Sequence, residues 1–169
     1  MNTDKNYLKV TFKLKMDEDG YPPVGFESVW LKKKNGLYVL DNIPTYVYGV
    51  SKLDEISFHD EHGELIVDGV RKKNGNSTLR AYVFDSTHLN DILIKIQEMG
   101  AFTASSKNST YFSIDIPHNI SFELIDGYLS ELSDNNILDY EDACLQHPSI
   151  DPQRRCECEQ LSALYCYFS

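Results

Sequence analysis

Between Asn108 and Gln153 the chain has no Lys or Arg, yet it carries Asp115, Glu123, Asp126, Glu131, Asp134, Asp139, Glu141, Asp142 and Asp151. Carboxylates segregated in this way suit recognition of a basic partner, because they steer its approach and fix its orientation. Apolar spacing predicts a helix through Phe122, Leu124, Ile125, Tyr128, Leu129 and Leu132. At about 100° per residue, Glu123, Asp126 and Glu131 fall on the arc opposite those side chains. Asp134, Asp139, Glu141 and Asp142 follow directly, with Tyr128 at the margin of the packed arc and Tyr140 among the acids. These nine residues, Glu123 to Asp142, are expected to form one negative, tyrosine-anchored binding surface. An acidic face that serves only solubility is the competing reading.

Other residues offer less chemistry. His59-x-x-His62 lies among Asp60, Glu61 and Glu64, a setting for a metal or a small hydrolytic centre, but equally that of an ordinary solvated turn. His88 falls in a helical first turn, His118 follows a proline, and His147 has no recognisable setting. The spacing of Cys156 and Cys158 is tighter than a zinc knuckle, and neither they nor Cys144 and Cys166 form matched pairs. No G-x-S-x-G, P-loop or dinucleotide fingerprint occurs. No catalytic residue, metal ligand or cofactor is therefore assigned. Lys32-Lys33-Lys34 and Arg71-Lys72-Lys73 lie near turns. With Tyr38, Tyr46 and Tyr48 close by in sequence, a small barrel with such lysine-rich hairpin tips is the alternative reading, an RNA- or nucleotide-binding module.

The overall charge weighs against nucleic acid and anionic membranes as partners. The 169 residues carry 16 Lys+Arg and 26 Asp+Glu, a formal charge of -10, whereas binding a polyanion requires a basic surface that releases counterions. Residues 1–80 are balanced, with 12 basic and 12 acidic side chains, so the whole excess lies after residue 80. With 11 Tyr, 8 Phe and 1 Trp the chain has ample core material and is long enough to fold without disulfides. The start, Met1 to Lys15, mixes Asp4, Lys5, Lys9, Lys13 and Lys15 with its apolar residues, unlike a signal peptide. A cytoplasmic location with reduced cysteines is expected.

The elements that must position these groups are legible from periodicity. Leu8, Val10, Phe12 and Leu14 alternate with polar residues as in a half-buried strand. Phe26 to Leu31 and Leu37 to Leu40 flank Lys34-Asn35-Gly36, and Ile56 to Phe58 and Leu65 to Val70 flank His62-Gly63. With an aromatic run at Tyr46 to Tyr48, residues 1–78 read as five or six strands in a small barrel or curled sheet. Residues 79–150 read as strand-helix-strand-strand-helix-strand, the ferredoxin-like order. Its strands are Leu79 to Phe84, Phe102 to Ser105, Tyr111 to Ile116 and Ile137 to Tyr140, and its first helix is capped by Ser86 or Thr87. The fold class is thus α+β. Residues 151–169 form a tail in which Leu161, Leu164, Tyr165 and Phe168 have the spacing of a docked helix.

Three separated segments, Glu27-Ser28-Val29-Trp30, Leu40-Asp41-Asn42-Ile43-Pro44 and Gly75-Asn76-Ser77-Thr78-Leu79-Arg80, match patterns E-S-x-W, L-D-N-I-P and G-x-S-T-x-R. Over roughly residues 8–145 the chain resembles a bacterial domain family of unknown function that carries these patterns in this order. Many of its members have histidine where Asn76 stands. Some look like immunity proteins of contact-dependent growth inhibition systems. The resemblance implies an inhibitor that neutralises a cognate toxin, a ribonuclease foremost, by covering its cationic active site. It makes the nine acidic-stretch residues the expected toxin-binding set, with no turnover required.

Overall fold

The computed structural model describes residues 6–168, so Asp4 and Lys5 of the chain start lie outside it. Strands β1 (Tyr7–Lys13), β2 (Phe26–Lys34), β3 (Leu37–Leu40), β4 (Glu55–Glu61) and β5 (Glu64–Lys72) pair in sequence order. All these pairs are antiparallel, and β1 meets β5 in parallel at Thr11↔Ile66, which closes a barrel. Alternation decides which side chains fill it: Val10, Phe12, Val29 and Leu31 are at most 2% exposed, while Lys9, Thr11 and Trp30 point away. Both tight hairpins turn through left-handed backbone, at Asn35-Gly36 and His62-Gly63, which twists in the sense the strands require.

The second sheet contains β6 (Ser77–Val83), β7 (Phe102–Ser105), β8 (Tyr111–Ile116) and β9 (Leu138–Cys144), in spatial order β7-β8-β6-β9, with every pair antiparallel. Helices α1 (Leu89–Glu98) and α2 (Phe122–Asp134) connect β6 to β7 and β8 to β9. Ile92, Ile96, Phe122, Ile125 and Leu129 share one core with Leu79, Ala81, Val83, Phe112, Ile114 and Ile116. Both helices therefore cover the same face of this sheet. The opposite face carries Thr78, Arg80, Ser113 and Asp115, all at most 1% exposed although polar, where the barrel packs against it.

Several details depart from expectation. The aromatic run at Tyr46 to Tyr48 is irregular rather than a strand, because its backbone groups bond to side chains, as described below. Asp85, not Ser86 or Thr87, caps the turn leading into α1, accepting the Thr87 N–H at 2.9 Å. Leu124 is 51% exposed, so the packed stripe of α2 is narrower than its apolar content suggests. The tail helix, α3 (Pro152–Tyr165), starts earlier than its apolar spacing indicates, with Asp151 capping Gln153 and Arg154. Cys158 enters the sheet core, while Leu161, Tyr165 and Phe168 pack on the barrel and Leu164 stays exposed. α3 thus docks on both halves.

Candidate functional site

Residues 41–54, the irregular link between β3 and β4, pack between the barrel and the sheet, with residues 41–50 facing β6 and β8. An irregular loop that packs inward leaves backbone donors and acceptors needing partners. Glu27, on β2, accepts the N–H groups of Thr45 (2.6 Å), Tyr46 (2.8 Å) and Val47 (2.9 Å). Arg80, on β6, donates to the carbonyls of the same Tyr46 (3.2 Å) and Val47. The Asn42 side chain accepts the Trp30 N–H. One carboxylate thus satisfies three successive donors of the loop and one guanidinium two of its acceptors, and the three segments singled out in the sequence converge here.

Arg80 is completely buried; its guanidinium lies 4.6 Å from the Tyr48 ring centre and 3.7 Å from Glu141 Oε1. Tyr48 donates its hydroxyl to Glu141 at 2.9 Å, and burial first, then its hydroxyl contact with Tyr21, pushes the phenol far above its ordinary range. Burial opposes the charge on Arg80, but Tyr111 and Glu141 beside it outweigh that and hold the proton firmly.

Tyr82, further along β6 on the same face as Arg80, and Phe84, just past the strand's end, stand 49% and 52% exposed, their rings edge to face at 5.9 Å. Register places Asp139 of β9 opposite Tyr82 and Glu141 opposite Arg80. Tyr21, Tyr82 and Tyr111 with Asp139 and Glu141 surround a cavity of about 350 Å³ whose floor is Arg80. Glu141 faces Arg80, whereas Asp139 has no ion pair among the described residues. The patch combines rigid aromatic surface with one free carboxylate, suited to a cationic side chain.

The nine residues expected to form one acidic surface are distributed over more than one face. Alternation along β9 sends Asp139 and Glu141 to the barrel side and Tyr140 and Asp142 to the helix side. There Arg154 of α3 donates to both oxygens of Asp126 at 2.9 Å and to both of Asp142 at 2.8 Å, while Tyr140 donates to Asp126 at 2.9 Å. The basic residue that neutralises this stretch stands one position beyond it. Glu123 is engaged at the start of α2, where Ser149, the helix backbone and Ser121 hold its carboxyl below the usual range. Tyr128 packs partly against the sheet core, and Glu131, Asp134 and Asp139 remain exposed without ion pairs among the described residues.

The Arg154 cluster has a pH signature. Burial works to raise the Asp126 carboxyl, but hydrogen bonds from Arg154 and Tyr140 overcome it and leave the value below normal. A depressed carboxyl stabilises the fold above its unfolded value, near 3.8, and loses that contribution as pH falls through the folded value. Arg154→Ala is expected to cost about 2 kcal/mol at pH 7, moderated by the partial exposure of the cluster. The difference from the native chain should shrink below about pH 4, as read from urea unfolding at a series of pH values.

Two histidine settings have definite structural partners. His59 Nδ1 lies 2.7 Å from Asp68 Oδ1 and its Nε2 3.6 Å from Glu61, on the barrel surface. Among the described residues no group of three or more His, Cys, Asp or Glu side chains is arranged to hold a metal ion. Ser77 Oγ lies 2.7 Å from His147 Nδ1, a nucleophile-base distance that sequence spacing did not reveal. His147 Nε2, however, faces the carbonyls of Pro117 and Ile120 at 3.1 Å, and Ser77 Oγ also accepts N–H groups from Gln146 and His147. Both residues are buried, so the pair fastens the 145–148 segment to β6.

These features define an α+β protein in which a closed five-stranded barrel is clamped by buried charge to an antiparallel four-stranded sheet. The chain belongs to the family described as a domain of unknown function, DUF4265, whose model matches residues 27–140. That span contains Glu27, the 41–50 loop and Arg80. The fold is also similar to the "novel crystal structure of a hypothetical protein from Neisseria gonorrhoeae". The TM-score is 0.65 at 22% identity over 82% of this chain and 96% of that one. No curated protein matches the chain.

Proposed function

We propose that this protein is an immunity protein, a stoichiometric inhibitor that binds a cognate bacterial toxin, a ribonuclease foremost, over its cationic active site. The observation that carries the reading is the exposed Tyr82–Phe84 pair beside the unpaired Asp139 on a sheet anchored by buried Arg80. Rigid aromatic anchors with an adjacent carboxylate supply both contact area and charge complementarity to a guanidinium or ammonium group. A ribonuclease presents such cations where it binds phosphate, so occupying them excludes RNA without any turnover. Glu131 and Asp134 add long-range attraction, while Asp126 and Asp142 are withdrawn from the binding set by Arg154. The strand order β7-β8-β6-β9 with both helices on one face supports reading residues 77–144 as a ferredoxin-like unit. No helix among the described residues is long and apolar enough to cross a membrane, and the reading puts the protein in the cytoplasm with its toxin's target.

The test is binding and inhibition of the toxin encoded next to this gene. Tyr82→Ala is expected to weaken binding at least tenfold, as for a central aromatic anchor. Asp139→Lys should slow association about tenfold at low salt and flatten its salt dependence, while Lys95→Ala, on α1, serves as a control and leaves both unchanged. Failure of the native protein to bind any neighbouring toxin, or unchanged kinetics in both variants, would overturn the assignment.

A further inference from the structure

The two halves enclose a second cavity, of about 570 Å³, whose chemistry is opposite to that of the acidic face. Lys32, Lys33 and Lys34, at the end of β2, and Lys52, from the β3–β4 link, line it. None of the four makes an ion pair among the described residues, although the chain has ten more acidic than basic side chains. Lysines left unpaired around one concavity in an acidic protein concentrate positive potential there. Among the described residues Asp41 is the only other charged residue at the rim, and His118 stands beside the opening.

The wall and floor are of a different kind. Phe102, at the start of β7, is 55% exposed and lines the cavity, with Lys52 Nζ 5.6 Å from its ring centre. At the floor are Asn76 and Asp115, 2% and 1% exposed. Among the described residues the Asp115 carboxylate receives only the Asn76 amide, at 3.1 and 3.3 Å to its two oxygens. A carboxylate can accept about four hydrogen bonds, so Asp115 is under-supplied, and burial raises its pKa to about 6. The cavity thus offers cations at its mouth, an aromatic face on its wall and a carboxylate with spare acceptor capacity at its base, within a volume typical of small-ligand sites.

We propose that this cavity binds a nucleoside phosphate, with its phosphates on Lys32–Lys34 and Lys52, its base against Phe102 and an exocyclic amino group directed to Asp115. The lysines recognise charge without reading it, while Asp115 confers preference for an amino-bearing base, because the carbonyl edges of uracil repel a carboxylate. This site is separate from the Tyr82–Asp139 patch, so it stands or falls independently of the inhibitor assignment.

Calorimetric titration of the full chain with ADP, GDP, UDP and inorganic phosphate at low salt tests it. ADP or GDP should bind at least tenfold more tightly than inorganic phosphate and about fivefold more tightly than UDP. Lys33→Ala combined with Lys52→Ala, both at solvent-accessible positions, should weaken nucleotide binding at least tenfold. Asp115→Asn should bring UDP to within about twofold of ADP and GDP while leaving inorganic phosphate unchanged. Nucleotides binding no better than inorganic phosphate would overturn the proposal. So would affinities unmoved by the lysine substitutions, an unchanged base preference in Asp115→Asn, or binding confined to single-stranded RNA.

Discussion

Replacing Arg80 with alanine is expected to lower the unfolding free energy by about 3–5 kcal/mol, the range for truncating a large, fully buried side chain whose hydrogen-bond partners are left behind. Arg80 is the largest fully buried side chain, so truncation opens a void beside the Tyr48 ring. It also strips the Tyr46 and Val47 carbonyls of their donors and leaves Glu141 facing the junction without its cation. Orphaned acceptors rather than lost attraction make up much of the cost. Arg80→Lys restores the charge but not the planar fork that reaches two successive carbonyls, and is expected to recover at most half. Arg80→Met, which keeps volume, should recover less than Lys, because the carbonyls and Glu141 stay unpartnered. Urea unfolding of the three variants checks this order. A loss below about 1 kcal/mol for the alanine variant would mean that the loop is held by packing alone.

The same junction shows what sequence reading reaches and where it stops. The strands of the barrel and the order of elements after residue 77 were legible because alternation and 3.6-residue spacing are local properties of the chain. Asn35-Gly36 and His62-Gly63 carried the hairpins for the same reason. The run at Tyr46 to Tyr48 misled, since its β-forming residues are recruited instead by Glu27 and Arg80, which lie 19 and 34 positions away from Tyr46. No local pattern announces such long-range satisfaction of backbone groups. The acidic stretch was correctly bounded by composition, yet its division between faces follows from β9 alternation combined with Arg154 arriving from α3. Charge counted along the chain does not count pairs in space. Tyr82 passed unnoticed as a member of a strand, although alternation with Leu79, Ala81 and Val83 already places it on the face away from α1 and α2; Phe84, which follows the strand, joins it there through ring contact. Asp115 was counted in the acidic stretch, and Ile114 and Ile116 alternate with it as in a half-exposed strand; its burial comes from the barrel packing on that face, which no local pattern shows.

Replacing that Asp115 with asparagine is expected to stabilise the protein. Burial is the main cause that lifts its carboxyl from 3.8 to about 6; the Asn76 amide and then Lys52 pull it down, and Asp54 pushes it up. A carboxyl raised on folding binds its proton more tightly in the native state than in the unfolded chain. Its charged form therefore costs stability above the folded value, the cost fades as pH falls from about 6 toward 3.8, and below both it vanishes. Two units correspond to about 2–3 kcal/mol. Asparagine keeps the shape and still accepts the Asn76 amide through its own oxygen, but carries no charge to desolvate. The gain should thus be full at pH 8 and near zero at pH 4, as measured by denaturant unfolding at both values. An equal gain at the two pH values would trace the effect to packing, and a loss at pH 8 would show that Lys52 and Asn76 fully compensate the charge. A carboxylate that weakens its own fold at neutral pH, at the base of a lysine-lined cavity, is the kind of group that binding rather than stability maintains. The stability gain and the loss of base preference should therefore arrive together in the one substitution.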